Sequence, residues 1–202
     1  MSATFEPEIR VSASQDFIVC GVDEVGRGPL AGPVVAAAVH IPVSLWHAAE
    51  VQQFEDSKQV SVAKRATLSI WIKAQCRWAI AEVSPQEIDR LNILQASLQA
   101  MAEATHRLDA DFALIDGNKA PTLTIPCQTV VKGDAKSRSI AAASILAKHH
   151  RDQIMMALDA KFPAYGWAQN NGYPTAAHRA ALATHGPTCH HRATFRGVKN
   201  VT

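Results

Sequence analysis

Acidic residues stand at the ends of short apolar runs at separate places in this 202-residue chain. Asp23 and Glu24 end one run, Asp116 ends another, and Asp134 follows a Lys-Gly pair. Adjacent carboxylates repel each other when ionised unless a cation lies between them. Oxygen ligands with no nearby Cys or His favour Mg²⁺ or Mn²⁺ over Zn²⁺. The pattern predicts a divalent-metal site suited to phosphodiester hydrolysis, although either later aspartate taken alone could merely cap a turn or a helix.

A turn rich in glycine and proline follows the first two carboxylates. Residues 26–31 match G-x-G-x-x-A, a dinucleotide-binding fingerprint, but that motif has to open a helix. Here Pro33 and the strand-like run 34–41 come next. The turn is therefore interpreted as one whose bare backbone N–H groups can approach a sugar-phosphate chain.

The elements that must position these residues alternate between strand and helix patterns. Strands are predicted over 17–24, 34–41, 76–83, 112–116 and 123–131, the first two antiparallel and the last interrupted by Pro126. Helices are predicted over 62–75, from 85 to about 108 as one or two helices, within 137–162, and from 175 to about 184. Ser61 and Ser84 are the expected N-caps of the first two. Carboxylates that end strands at one edge of an α/β sheet are expected to meet.

Length and composition fit one globular domain over 17–202, preceded by a flexible lead-in over 1–16. The chain is 48% hydrophobic and 19% charged. No apolar run reaches the roughly 20 residues of a membrane span, and the N-terminus lacks the apolar region of a secretory signal. The four cysteines show no C-x-x-C spacing and are predicted to be reduced thiols of a cytoplasmic protein.

The two halves of the chain differ in charge. Residues 1–131 carry 10 Lys and Arg against 15 Asp and Glu, whereas residues 132–202 carry 10 against 3. A basic half opposite an acidic half suits a polyanion held at a carboxylate–metal centre. A solvated basic surface without a partner is equally compatible with these numbers.

Motifs along the chain resemble those of bacterial ribonuclease HII, in the order of that family. They are DEVGRGPLAGPV at 23–34, DSK at 56–58, IDGN at 115–118, KGD at 132–134, SRSIAAASILAK at 137–148 with Arg151-Asp152, GYPT at 172–175 with His178, and HRATF at 191–195. The resemblance covers about residues 17–198. It implies an α/β fold, an RNase H-like mixed sheet flanked by helices with a small helical C-terminal extension. It also implies an endonuclease that acts on RNA/DNA hybrids and cuts 5′ of single ribonucleotides in duplex DNA, leaving 5′-phosphate and 3′-OH ends. The protein is expected to be a monomer that does not bind membranes.

The resemblance also assigns roles to residues of this chain. The metal-binding catalytic carboxylates, with Mg²⁺ or Mn²⁺ as cofactor, would be Asp23, Glu24, Asp116 and Asp134. The contacts to the 2′-hydroxyl and flanking phosphates, largely through backbone, would come from Gly26, Arg27 and Gly28. Tyr173 would stack on the sugar of the adjacent deoxynucleotide. Phosphates would be held by Lys58, Ser137 and Ser139.

The sequence departs from the family pattern at two places, and other function classes stay open. Gln59-Val60 replaces the usual Lys-Leu, and Ala193-Thr194 replaces Arg-Ser, which leaves the tail motif no expected role beyond packing. A non-catalytic module that binds hybrids or single strands predicts salt-sensitive, chelator-insensitive binding. A metal-dependent phosphatase predicts turnover of free nucleotides. A zinc site could use His185, Cys189, His190 and His191, but their spacing fits no common template.

Overall fold

Five strands form one mixed sheet in the computed structural model, which describes residues 3–12, 17–55, 57 and 60–199. The strands are β1 (Val19–Val25), β2 (Val34–His40), β3 (Arg77–Val83), β4 (Phe112–Asp116) and β5 (Cys127–Val130), in the spatial order β3-β2-β1-β4-β5. β2 pairs antiparallel with both β1 and β3, whereas β4 pairs parallel with both β1 and β5. Each predicted strand is present, and the antiparallel pairing of the first two is confirmed.

Seven α-helices accompany the sheet in the described part of the chain. They are α1 (Glu6–Val11), α2 (Val62–Gln75), α3 (Pro85–Leu91), α4 (Ile93–Leu108), α5 (Arg138–Lys161), α6 (Trp167–Asn170) and α7 (Ala176–His185). The predicted caps are confirmed, because Ser61 Oγ accepts from the N–H of Lys64 and Ser84 Oγ accepts from the N–H of Glu87. The segment 85–108 forms two helices because Asn92, at φ +73°, ends α3 and caps α4.

Helices cover both faces of the sheet. Side chains on one face of β1 and β2, such as Val22 and Ala36, pack with α4, and those on the other face, such as Ala37, pack with α2 and α5. α5 crosses β1 at Gly21, where a Cβ would lie 2.1 Å from the backbone N of Ile140. Because glycine permits this close approach, α5 can run along β1 towards the strand end that carries Asp23.

The N-terminal segment differs from the prediction of a flexible lead-in. In its described part, 3–12, Thr4 exchanges backbone hydrogen bonds with Lys136 and Arg138, each of 3.0 Å. Glu8 on α1 is buried, and its Oε1 accepts from Ser137 Oγ (2.6 Å), Ser139 Oγ (2.6 Å) and Ser139 N–H (2.9 Å). For residues 3–12 the prediction is wrong, because the partners that order this short helix are about 130 positions away. Residues 13–16 lie outside the described part.

Two further predictions concern thiols and membranes. The four cysteines are free, as predicted. No helix in the described part of the chain is long and apolar enough to cross a bilayer.

Candidate active site

The ends of two parallel neighbouring strands bring the first carboxylates together. Val22 of β1 is paired with Ile115 of β4, so the next residues on each strand, Asp23 and Asp116, lie side by side. Burial raises the pKa of Asp23 well above its ordinary value, and the charges of Glu24 and Asp116 raise it further. Burial also raises the pKa of Glu24 to about 7, with Asp116 adding to the effect and Arg27 opposing it. Three carboxyl groups therefore share one partly desolvated place at the edge of the sheet.

Few groups compensate this negative charge. Asp23 Oδ1 accepts from the N–H of Glu24 at 2.7 Å, and the hydroxyl of Ser144 on α5 also donates to Asp23. Arg27 Nη1 lies 3.4 Å from Glu24 Oε1, but half of the Arg27 side chain is exposed, so solvent screens the pair. The donor set is hard oxygen with excess negative charge, which fits a divalent cation such as Mg²⁺ or Mn²⁺.

The fourth predicted carboxylate, Asp134, lies in the loop before α5. Asp134 is half-buried in the 3₁₀ turn Gly133–Ala135. The N–H of Gly133 donates to Asp116 Oδ1 at 2.6 Å, which fastens this turn to the end of β4. Within the described ranges, no three His, Cys, Asp or Glu side chains are already arranged as the ligands of a metal. The fit to a cation therefore rests on the carboxylate oxygens as ligands and on their uncompensated negative charge.

The glycine turn lies directly beside the carboxylates. Gly26 has φ +96°, and a Cβ there would lie 2.4 Å from Arg151 Nε, so the position requires glycine. Arg27 and Gly28 are exposed, whereas residues 29–33 are buried. The turn thus presents two residues to solvent and packs the rest against the protein.

Tyr173 lies next to the glycine turn. Its side chain is 42% exposed, and its ring atom Cε1 would lie 3.4 Å from a Cβ on Gly28. The Tyr173 carbonyl accepts from His178 Nδ1 at 2.9 Å, and the Gly172 carbonyl accepts from the N–H of Leu30 at 2.7 Å. The structure brings together the aromatic ring and the glycine turn, 145 positions apart in sequence.

Two of the three residues expected to hold phosphates, Ser137 and Ser139, are not brought to this edge. Ser137 and Ser139 are fully enclosed beneath α1, where both hydroxyls donate to Glu8. Ser139 lines a small cavity with Val19, at the opposite end of β1 from Asp23. The expectation of phosphate contacts is therefore wrong for these two serines in this structure, since an internal carboxylate takes their hydrogen bonds. Lys58 and Gln59 lie outside the described residues.

The structure adds residues that the sequence did not single out. Ser144 contacts Asp23, and its Oγ also lies within hydrogen-bonding distance of Ser57 Oγ, at 2.9 Å. Arg151 and Arg192 are fully buried and donate to carbonyls of the glycine turn, which gives the tail motif a part beyond packing. A buried arginine leaves no spacing signal, although both residues stand in motifs that the resemblance identified.

The tail does not form a zinc site in the described part of the chain. The His191 ring nitrogens are engaged by Thr188 and by His178, and no cluster of three ligating side chains is present. Burial lowers the pKa of His191 to about 4, with His178 and His190 adding to the effect, so this ring is neutral at pH 7. These histidines form a packed network with Trp167, whose Nε1–H donates to His178.

The comparisons with known proteins agree with this arrangement. The family model of ribonuclease HII matches residues 20–198. The ribonuclease HII of Magnetococcus marinus is 54% identical over 193 residues, which cover 91% of this chain and 86% of the relative.

Two solved structures show the same fold. The ribonuclease H2 of Pyrococcus horikoshii OT3 has a TM-score of 0.77 at 24% identity, covering 91% of this chain and 96% of that one. Bst-RNase HIII, solved in complex with Mn²⁺, has a TM-score of 0.72 at 18% identity, covering 92% of this chain and 69% of that one. The mixed sheet and its flanking helices are thus the RNase H-like fold that the sequence predicted. The chain belongs to the ribonuclease HII family, whose members are metal-dependent endoribonucleases that cut the RNA of RNA/DNA hybrids.

Proposed function

We propose that this protein cuts on the 5′ side of a ribonucleotide, including a single ribonucleotide embedded in duplex DNA, and leaves 5′-phosphate and 3′-OH ends. The observation that carries the proposal is the meeting of the Asp23, Glu24 and Asp116 carboxyls with an exposed glycine turn and Tyr173. The carboxyls suit phosphodiester hydrolysis, whereas the glycine turn and Tyr173 suit recognition of a sugar. Because the two are adjacent, the strand would be cut next to the ribose that is recognised.

The carboxylates are proposed to hold Mg²⁺ or Mn²⁺, with Asp134 as the fourth ligand. Such ions supply an activated water and stabilise the charge that develops on the phosphorus oxygens. The side chains of Asp23 and Glu24 must give up protons to bind a cation, because burial has raised the pKa of both. Mn²⁺ bound to Bst-RNase HIII supports the metal class but does not choose between the two ions.

Recognition of the ribonucleotide is proposed to use the backbone of the turn and the ring of Tyr173. A 2′-hydroxyl both donates and accepts hydrogen bonds, and it distinguishes RNA from DNA at a given position. Backbone groups of Gly26, Arg27 and Gly28 can pair with it without contacting any base, so cutting would be independent of base sequence. The ring of Tyr173, next to Gly28, is placed to stack on the neighbouring deoxyribose.

The assembly is proposed to be a cytoplasmic monomer. The carboxylates, the glycine turn and Tyr173 all come from one chain, so the site needs no second copy. Free thiols at all four cysteines suit a reducing compartment.

The test is cleavage of a labelled DNA duplex that carries one ribonucleotide, with Mg²⁺ and then with excess EDTA. We expect one cut on the 5′ side of the ribonucleotide, lost with EDTA, and no cut in an all-DNA duplex. An intact strand in the presence of Mg²⁺ or Mn²⁺ would refute the proposal. Ligation of the products and phosphatase treatment identify the end groups.

Tyr173→Ala sharpens this test because the exposed ring contributes little to the fold. We expect about a tenfold loss of kcat/KM at the single ribonucleotide, the effect of about 1.4 kcal/mol of stacking. Tyr173→Phe keeps the ring and should retain activity. Equal activity of the alanine variant and wild type would remove the ring from the site.

A further inference from the structure

Two buried arginines lie beneath the glycine turn. Arg192 and Arg151 are both fully buried, and their hydrogen bonds within the described part of the chain go to backbone carbonyls. Arg192 donates to the carbonyls of Gly26, Arg27 and Gly32. The guanidinium of Arg192 also lies over the Phe195 ring, 5.0 Å from its centre. A buried charge that is held mainly by carbonyl dipoles is costly, so its position calls for a reason.

The reason lies in which peptide groups Arg192 holds. A trans peptide is planar, and its C=O and N–H point in opposite directions; the described chain contains no cis peptide. The carbonyl of Gly26 shares a peptide with the N–H of Arg27, and the carbonyl of Arg27 shares one with the N–H of Gly28. Because Arg192 draws both carbonyls inward, both N–H groups are turned away from the core.

Those two N–H groups are the ones that belong to exposed residues of the turn. Arg27 and Gly28 are exposed, and neither N–H has an acceptor among the described residues. A carbonyl that accepts from a cation also makes the N–H of the same peptide a stronger donor, since hydrogen bonds in a chain polarise one another. Arg192 thus orients and strengthens a pair of adjacent donors beside Tyr173.

Arg151 holds the same turn in a different way. It donates to the carbonyls of Ala31, Pro33 and Asn171, each at 3.0 Å. The peptide after Asn171 uses its N–H internally, because Gly172 donates to Asn170 Oδ1 at 2.8 Å. The peptide after Ala31 uses its N–H internally, because Gly32 donates to the His190 carbonyl at 2.9 Å, and the peptide after Pro33 leads into β2. Arg151 therefore supports the turn without holding a peptide that offers a free donor, which makes it a natural control for Arg192.

We propose that Arg192 is a positioning residue for ribose recognition. It aims the N–H groups of Arg27 and Gly28 at the 2′-hydroxyl oxygen of the substrate. The inference rests on the proposed function, since it assigns the source of ribose selectivity at the same site. It makes the C-terminal tail a part of that selectivity, although Arg192 itself does not touch the substrate.

The test compares Arg192→Lys with Arg151→Lys. Each variant keeps a positive charge and loses the planar fork that spans several carbonyls. Affinity is measured in EDTA, which prevents cutting, for a duplex with one ribonucleotide and for an all-DNA duplex of the same sequence. We expect the ratio of the two affinities, ribonucleotide duplex over all-DNA duplex, to be about tenfold smaller for Arg192→Lys than for wild type, which corresponds to the loss of about one hydrogen bond. Arg151→Lys should keep the preference within about twofold, even if its Tm falls similarly.

Several outcomes overturn the inference. It fails if Arg192→Lys keeps the full preference, if both variants lose it equally, or if the wild type binds both duplexes equally. None of these outcomes touches the proposed function, which depends on cleavage by the wild type at a single ribonucleotide.

A measurement on the wild type covers the case in which Arg192→Lys does not fold. The amide resonances of Arg27 and Gly28 are followed by NMR during titration with each duplex in EDTA. We expect larger shifts of both resonances with the ribonucleotide duplex than with the all-DNA duplex. Equal shifts with the two duplexes would overturn the inference.

Discussion

Two buried carboxylates in this protein lie in opposite environments. Glu8 and Asp23 are nearly inaccessible, at 4% and 7% exposure. Glu8 Oε1 accepts three hydrogen bonds from Ser137 and Ser139 at the start of α5. Asp23, at the other end of the same strand and helix pair, has Glu24 and Asp116 as neighbours, and both raise its pKa.

The difference separates a group that stabilises the fold from a group that is held ready for a ligand. The hydrogen bonds of Glu8 join α1 to the start of α5, whereas a buried carboxyl group surrounded by like charge, such as Asp23, disfavours its ionised form. Asp23 keeps this unfavourable position because the sheet and α5 fix it there. A bound cation can supply the positive charge that the protein itself does not provide. Each prediction below alters one side of this contrast.

The largest effect is expected at Asp23. Asp23→Asn removes a charge needed for metal binding, so cleavage should fall by about a thousandfold or more. The same change relieves repulsion, so the metal-free variant should have a higher Tm than metal-free wild type. Initial rates with Mg²⁺ and thermal unfolding in EDTA measure the two effects. Retained cleavage would remove Asp23 from the metal site.

The opposite response is expected at Glu8. Glu8→Ala leaves three buried donors without their acceptor, which should cost about 2–3 kcal/mol and lower Tm by about 4–10 °C. The cleavage rate measured well below the Tm should stay within about threefold of wild type, because such a change is under about 1 kcal/mol of the activation free energy. Glu6→Ala is the control, because Glu6 is exposed and its side chain pairs with Arg10, a pair worth under about 1 kcal/mol. Equal losses at both positions would show that α1 contributes without the Glu8 contacts.

The pH dependence of stability sharpens the contrast. A carboxyl group whose pKa is raised by folding binds its proton more tightly in the folded state, so stability is lost as pH rises through that window. For Asp23 the window begins at about 3.9 in the unfolded chain and extends well upward in pH, because burial, Glu24 and Asp116 all raise the pKa of Asp23 in the folded chain. In EDTA, the Tm advantage of Asp23→Asn over wild type should therefore grow as pH increases across this range.

The prediction compares Asp23→Asn with wild type because buried histidines change stability with pH in the opposite direction. The lowered pKa of His191 makes stability rise between about pH 4 and pH 6.5 in both proteins. The difference between the two Tm curves removes this shared contribution. A constant difference would mean that the carboxyl groups do not repel one another as described.

The smallest effect is expected at Ser139. Ser139→Ala removes one of the three hydrogen bonds to Glu8 and should cost about 1 kcal/mol. Cleavage should be unchanged within about twofold, because the hydroxyl lies beneath α1 and away from the carboxylates. Denaturant unfolding and steady-state rates measure both. A large loss of activity with unchanged stability would restore the expectation that Ser139 contacts a phosphate.

Local signals were enough to predict much of this molecule. Alternating or continuous apolar runs indicated the strands, and Ser61 and Ser84 marked helix starts, because these patterns depend on neighbours in sequence. The resemblance placed Asp23, Glu24 and Asp116 in one site, and the parallel pairing of β1 with β4 brings these three together.

The partners of the buried polar side chains outside the carboxylate site could not be predicted. The sequence alone determined which residues end strands, which turn must be bare, and which family the motifs resemble. Tertiary structure decided that Glu8 takes the hydrogen bonds of two serines and that Arg192 holds the carbonyls of Gly26 and Arg27. Hydrogen bonds and charges act over a few ångströms in space, whatever the separation along the chain, so folding alone selects the partners of a buried polar group.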